Sequence, residues 1–485
     1  MAVLGIDLGT QSVKVVGVSD GGAVLASATR AYPVESPQQG WAEADPWRWL
    51  EACEAAAAEV IDAMPESPSA IGLSGQMHGV VLCDAAGDPV RPAILWADSR
   101  SVDEARDLRG DLGAEVLARL GSAPFPGFAG PTMRWLAEHE PDAIRRSRWA
   151  LQPKDWLRMQ WTGEVLTEPS DASGTLLYDL VDGRWSDAAL TACRVSPELL
   201  APIRPSGSYG GDVAREGSTL VGLPVALGGA DAACAVHGLG LPVGEGSLTV
   251  GTGAQIASML AEANPDPTLR THTFAAVGDV GAGFFRLGAV QSGGLALERA
   301  LSWLGADLAE ARAALAEGIQ PNDPFFWPFV AGERTPYVDP DLRASWSGLS
   351  LATTRPALLR SVFEGMAYTV SAAYSAVAGS GATPSEPITA LGGGSRDAGY
   401  LQLLSTALGA RLRPSSVHDA TAVGAARLGG QVVDAAIPPA PRSEHGMVEP
   451  AVDPIVIERQ DRWRAEMEGS ANVGTRVADE GTGQS

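Results

Sequence analysis

The chain has 485 residues, room for about three ordinary domains or two large ones, and its 45% hydrophobic and 19% charged residues describe a globular chain rather than a disordered one. It carries 35 basic residues against 58 acidic ones. The resulting net charge of −23 repels nucleic-acid phosphates and anionic membrane surfaces, so neither a nucleic-acid nor a membrane partner is expected. The cysteines, Cys53, Cys83, Cys193 and Cys234, show no CxxC spacing, and Met1 leads directly into an apolar run without a basic segment or cleavage site. A reducing cytoplasm is the expected setting.

The 57 glycines exceed the average share of about 7%, which calls for tight turns or close backbone approaches. There are only two lysines, Lys14 and Lys154, preceded by Val13 and Pro153. A Walker A loop requires Gly-Lys-Ser/Thr, so a P-loop nucleotidase is excluded, and the His-Arg-Asp loop of protein kinases is also missing. No HExxH or paired cysteines suggest zinc.

In chain order, residues 3–18 read as two apolar strands joined by a polar turn at Gly9–Ser12, a hairpin. Helical patterns follow at 47–64, 103–119, 131–138 and 155–162, alternating with short apolar strands at 70–73, 80–83 and 224–228. Near the middle, Ser247–Met259 repeats strand, Gly-Thr turn and strand, and superposing Gly9-Thr10 on Gly251-Thr252 suggests two halves built on one plan. The second half predicts helices at 294–304, 355–378 and 399–408 and strands at 388–391 and 411–413. The uncharged run Gly365–Ser385 is too rich in Ser, Thr and Gly for a membrane span. The expected class is α/β, with an N-terminal domain over 1–240, a C-terminal domain over 241–450, and a C-terminal helix and tail over 451–485. The tail is expected to lack a core from about Ser470. A cleft between two such halves is a natural place for a ligand.

Several residues carry candidate chemistry. Asp7 ends an apolar strand before Gly9-Thr10, where a carboxylate beside backbone N–H groups and a hydroxyl suits a magnesium-bound phosphate; the alternative is a turn aspartate capping its own backbone. Gly392-Gly393-Gly394-Ser395 follows a strand and precedes a helix, a bare backbone open to phosphate or a flat ring, or simply a structural turn. Asp231 follows the strand 224–228 among small apolar neighbours, which fits a general base and equally a helix N-cap. His78, in Ser74-Gly-Gln-Met-His-Gly79, offers a polyol contact or a satisfied loop histidine. Trp96-Ala-Asp-Ser-Arg100 supplies an aromatic face and fixed charges, or an ion-paired turn.

These pieces, taken with Gly5-Ile-Asp-Leu-Gly-Thr10, Pro92-Ala-Ile-Leu-Trp96, Gln152-Pro-Lys-Asp-Trp156, Ser170-Asp-Ala-Ser-Gly174, Gly229-Ala-Asp231 and Gly332-Glu-Arg-Thr-Pro336, resemble the FGGY carbohydrate kinases from residue 3 to about 430. Gln-Met-His-Gly and Pro-Lys-Asp point to the branch that phosphorylates D-xylulose. The resemblance implies two duplicated ribonuclease-H-like domains of the actin and hexokinase type with a central cleft. It implies ATP and Mg²⁺ as cofactors, a small sugar as partner, and allows a homodimer. Asp231 is then the catalytic base and Asp7 the aspartate that holds magnesium through water. Gln76, Met77, His78, Trp96, Asp98 and Asp231 fall to the sugar. Gly9, Thr10, Gln11, Lys14, Gly251, Thr252, Gly253, Gly294, Gly393, Gly394 and Ser395 fall to the nucleotide. Three departures stand out: Ala232 replaces an asparagine after the base, the second turn reads Gly-Thr-Gly-Ala-Gln255, and Pro131-Thr132 replaces Pro-Lys. The rival readings are a kinase for another ketose or polyol such as D-ribulose, and a non-enzymatic actin-like scaffold.

Overall fold

The computed structural model describes residues 1–485 apart from 279, 280, 282, 416, 418, 442–445 and 481–485, with side chains described as far as Met467 in the last helix. The chain divides into two compact units, the first made of 1–244, 259–286 and 417–442, the second of 245–258, 287–416 and 443–485. The units therefore cut the chain differently from the sequence division at 240 and 450.

The first unit is built on a mixed sheet in the order Tyr209–Asp212, Pro224–Ala226, Pro68–Gly75, Ala2–Leu8, Ser12–Ser19, Val24–Ala31, with Gly229–Ala230 also paired to Pro68–Gly75. The expected hairpin is present, Asp7 opposite Lys14. Its first strand is buried on both faces, which is why it reads as a continuous apolar run. Leu4, Ile6 and Leu8 share a core with Trp49 of the helix Pro46–Ala63. On the other face Val3 packs with Ala422 and Ala426 of the helix Ala420–Gln431.

That helix lies so close to the sheet that a Cβ on Gly5 would overlap the Ala422 carbonyl, and one on Gly72 the Ala425 carbonyl. Part of the glycine surplus thus serves helix-to-strand contact within the protein rather than contact with a ligand.

The second unit repeats the plan. Glu245–Val250 is antiparallel to Ala254–Leu260, with Val250 opposite Ala254, and parallel to Ser385–Leu391, with Thr249 opposite Leu391. Ser385–Leu391 pairs in turn with Leu412–Pro414. In both units a hairpin with a Gly-Thr turn lies beside a parallel strand whose carboxyl end leads into a polar segment, Gln76-Met77-His78 in one and Gly392–Ser395 in the other.

The uncharged run 365–385 falls largely in the helix Arg355–Val377, most of which is buried. No helix among the described residues is long and apolar enough to cross a membrane. The last helix, Pro454–Glu480, is fixed to the second unit by Trp463, fully buried, and by Arg459, whose Nη2 donates to Glu364 Oε2 at 2.6 Å. It continues past Ser470, where composition ended it. The segment 471–480 holds no proline and carries Ala, Val, Arg and Glu, which sustain a helix despite Gly474. The final part of the expected tail, 481–485, lies outside the described residues.

Candidate active site

Strand register assembles the site in the first unit. Asp7 is paired with Ser74, and Ser74 with Gly229; Leu8 is paired with Gly75, and Gly75 with Ala230. The next residue of each strand is Gly9, Gln76 and Asp231, so three strand ends 67 to 222 residues apart in sequence emerge side by side. The carboxyl edge of parallel strands is where α/β sheets place their ligands.

Asp231 opens the helix Asp231–Gly238, and its Oδ1 accepts the N–H of Ala232 at 2.6 Å. Burial pushes its carboxyl up to about 6, against a smaller lowering by that hydrogen bond. Asp7 is pushed up to about 7, first by burial and then by the charge of Asp231, with Lys14 opposing. Its Oδ1 is buried without a hydrogen-bond partner. An orphaned carboxylate oxygen beside a second carboxylate is a hard donor suited to a magnesium ion.

The Gly9 turn is braced from three sides. The Gly9 carbonyl accepts the Tyr32 hydroxyl at 2.5 Å and Gln76 Nε2 at 3.2 Å, and Trp96 Nε1 donates to Thr10 Oγ1 at 2.8 Å. Gln11 is exposed, and its carbonyl accepts the Tyr32 N–H at 3.0 Å. Gln76 Oε1 is buried and lacks a partner, so the amide presents an unused acceptor.

Met77 and His78 both rest on Gly174, where a Cβ would come within 2.8 Å of Met77 Cε. His78 Nδ1–H donates to the Gly174 carbonyl at 2.5 Å, its ring stacks on Phe128 at 4.1 Å, and its backbone is left-handed at φ 73°. A carbonyl oxygen only accepts, so Nδ1 carries the proton in this bond. His78→Asn tolerates the left-handed backbone better than alanine does. On the resemblance's assignment of His78 to a sugar, this variant is expected to raise the sugar KM about tenfold and leave the ATP KM within twofold; equal rises in both would mark His78 as a loop residue.

Two residues expected at ligands have partners within the protein. Asp98 is 2% exposed and both its oxygens are taken: Oδ1 by the N–H and Nε of Arg100, each at 2.9 Å, and Oδ2 by Ala42 N at 2.6 Å and Arg100 Nη2 at 2.7 Å. Asp98 is a clamp on the Trp96–Arg100 turn and has no lone-pair direction left for a sugar. Trp96 itself stays partly exposed, its indole tied to Thr10. Lys14, assigned to the nucleotide, is ion-paired with Asp419 at the start of the helix Ala420–Gln431.

In the second unit, the Gly251–Gly253 turn is stapled to the start of the helix Gly294–Leu304: Gly294 N donates to the Gly251 carbonyl at 2.8 Å and Leu295 N to the Thr252 carbonyl at 3.0 Å. A Cβ on Gly294 would come within 2.8 Å of the Gly251 carbonyl, so Gly294 serves the turn rather than a ligand directly. Thr252 is exposed. Sequence reasoning missed the clamp behind this turn, Glu333, whose carboxylate accepts the N–H groups of Gln291 at 2.7 Å, Arg334 at 2.8 Å and Ser292 at 3.2 Å. Around Gly392–Ser395, Gly392 adopts φ 85° against the Val250 backbone, Gly394 packs on the Val250 side chain and Gly393 faces open space. The Ser395 hydroxyl donates to the Gly392 carbonyl at 2.8 Å and braces that turn.

Models of the FGGY family of carbohydrate kinases match this chain twice, the N-terminal domain over residues 2–238 and the C-terminal domain over 246–431. A xylulose kinase of Staphylococcus xylosus is 30% identical over 88% of this chain and 90% of its own length. The chain belongs to the FGGY family of carbohydrate kinases. A xylulose kinase of Streptomyces rubiginosus is 31% identical over 99% of this FGGY kinase and 98% of that chain. Among solved structures, one titled a xyloylose kinase from Brucella ovis superposes with a TM-score of 0.89 at 31% identity, covering 98% of this chain and all of that one. A glycerol kinase of Plasmodium falciparum, at 20% identity, shares the fold with a TM-score of 0.84, covering 97% of each chain. The FGGY kinase thus has the two-domain, actin- and hexokinase-like fold expected from its sequence.

Proposed function

We propose that this FGGY kinase transfers the γ-phosphoryl group of ATP to the terminal hydroxyl of D-xylulose, giving D-xylulose 5-phosphate and ADP. The observation that carries the reading is Asp231, a carboxylate held near pKa 6 at the strand edge shared with Gly9 and Gln76. A base of that pKa is ionised at neutral pH and still accepts a proton as the hydroxyl oxygen attacks phosphorus. Asp231 takes the proton, the oxygen–phosphorus bond forms, and the bond to ADP breaks. The relatives named xylulose kinase support the choice of sugar.

Phosphoryl transfer depends chiefly on alignment and charge neutralisation. Asp7, through its unpartnered Oδ1, would hold magnesium, which when bound offsets phosphate charge. In the first unit the braced Gly9–Thr10 turn would take phosphate, and Gln76 Oε1 and His78 would contact the sugar; in the second unit the braced Gly251–Gly253 turn and the open Gly393 backbone would take the nucleotide. The test is ADP release measured over a panel of ketoses and polyols. Release that depends on sugar and is fastest with D-xylulose supports the reading; release independent of sugar overturns it.

Ala232 bears on the choice among ketoses. It is 8% exposed in the first turn after Asp231, where the resemblance implies an asparagine. A methyl group imposes no penalty on a mismatched sugar, whereas an amide left unpaired does. Ala232→Asn is expected to improve kcat/KM for D-xylulose relative to D-ribulose and L-xylulose by about tenfold, the worth of one net hydrogen bond of about 1.4 kcal/mol. An unchanged ratio would show that position 232 does not touch the sugar.

A further inference from the structure

Behind the strand edge of the first unit lies a buried ionic cluster that no candidate role above employs. Lys154 is fully buried, with Nζ 2.8 Å from Asp155 Oδ1, 3.1 Å from Asp171 Oδ2 and 3.4 Å from Glu168 Oε1. Arg158 Nη1 lies 3.8 Å from Asp155. Burial raises Asp171 well above the ordinary carboxylate range, with Lys154 opposing. A cluster of this kind is costly to bury, and its members are fixed in place by one another.

The cluster reaches the site through one hydroxyl. Glu168 Oε2 accepts the Ser170 hydroxyl at 2.7 Å, and Ser170 Oγ in turn accepts the N–H of Ala230 at 2.9 Å. Ala230 immediately precedes Asp231. Because the Ser170 proton is committed to Glu168, its lone pair is aimed at the Ala230 amide, and the backbone that carries Asp231 is fixed from behind. Glu168 also accepts the Ser206 hydroxyl at 2.8 Å, and Ser206 Oγ accepts the N–H of Gly278 at 3.1 Å rather than an amide of the strand that carries Asp231. The cluster thus holds two serine hydroxyls in the same way, of which Ser170 Oγ bonds the residue before Asp231 and Ser206 Oγ does not.

We propose that Ser170, oriented by Glu168 and Lys154, is a positioning residue for Asp231. The proposal rests on the reading of Asp231 as general base. Positioning errors of a fraction of an ångström at a reacting group are enough to slow a step tenfold or more.

The experiment compares Ser170→Ala with Ser206→Ala, which removes a hydroxyl from the same Glu168 oxygen, in wild-type and Asp231→Asn backgrounds. Steady-state kinetics use D-xylulose and MgATP and are normalised to folded protein. Ser170→Ala is expected to lower kcat about tenfold or more with both KM values within about twofold, Ser206→Ala to leave kcat within twofold, and Ser170→Ala to add nothing to Asp231→Asn. Should the alanine variant not fold, Ser170→Cys, a poorer acceptor of similar size, takes its place with the same expectation. Equal effects of the two serine variants, or a full additional loss on top of Asp231→Asn, would make the cluster purely structural and overturn the proposal. An unchanged kcat in Ser170→Ala beside a crippled Asp231→Asn would overturn the proposal alone. Wild-type turnover in Asp231→Asn would overturn the base itself, and the proposal with it.

Discussion

Asp231→Asn is expected to lower kcat by about 10² to 10⁴, the usual contribution of a general base, while MgATP affinity changes little. Asparagine keeps an oxygen that accepts the Ala232 N–H, so the helix start is preserved and the loss reflects the missing base. The pH dependence separates this from a structural effect. The base must be ionised, so wild-type kcat is held at high pH and lost as pH falls through about 6, and this limb should vanish from the residual activity of the variant.

Stability should move the other way. Because the folded pKa of Asp231 lies above its ordinary 3.8, the cost of burying its charge is fully present above about pH 6 and disappears as pH falls toward 3.8. The variant is therefore expected to melt a few degrees above wild type at pH 8, with the gain shrinking as pH falls below 6. Lost nucleotide affinity with kcat preserved would contradict the assignment.

Asp7→Asn is expected to lower kcat/KM for MgATP by about 10²-fold and to raise the magnesium concentration needed for half activity at least about tenfold, since a carboxylate facing a cation is replaced by a neutral amide. Asp7 in the metal-free protein sits at about 7. Below that pH a proton competes with magnesium, so wild-type kcat/KM for MgATP should fall as pH drops through 7, above the limb due to Asp231. A magnesium titration that matches wild type would remove Asp7 from the metal site.

The hairpins and the duplicated plan were legible because strands buried on both faces print as continuous apolar runs, and the Gly-Thr turn recurs at an offset of 242 residues. Asp7, Gln76 and Asp231 could be named from sequence, but their meeting depends on a parallel register across more than 200 residues, which no local pattern encodes. The helix Ala420–Gln431 belongs to the first unit although it follows most of the second. The small residues at Ala422, Ala425 and Gly429 were its only signal, complementary to Gly5 and Gly72.

The clamp at Asp98 was not legible, because an acidic residue two places from an arginine and near an exposed indole looks alike in a sugar site and in a clamped turn. The amide of Ala42 that fills it comes from 56 residues away. Ser170 entered only within the motif Ser170–Gly174 and Glu168 not at all, since nothing in their sequence neighbourhood shows that the hydroxyl bonds the residue before Asp231.

The most direct test of the central claim is phosphorus NMR of the wild-type protein with ATP, magnesium and D-xylulose, beside the Asp231→Asn variant. A phosphomonoester on the terminal hydroxyl, growing in step with ADP in the wild type and absent from the variant over the same period, is the expected result. Inorganic phosphate in place of the ester, an ester on another hydroxyl, or equal ester formation by the variant would contradict it.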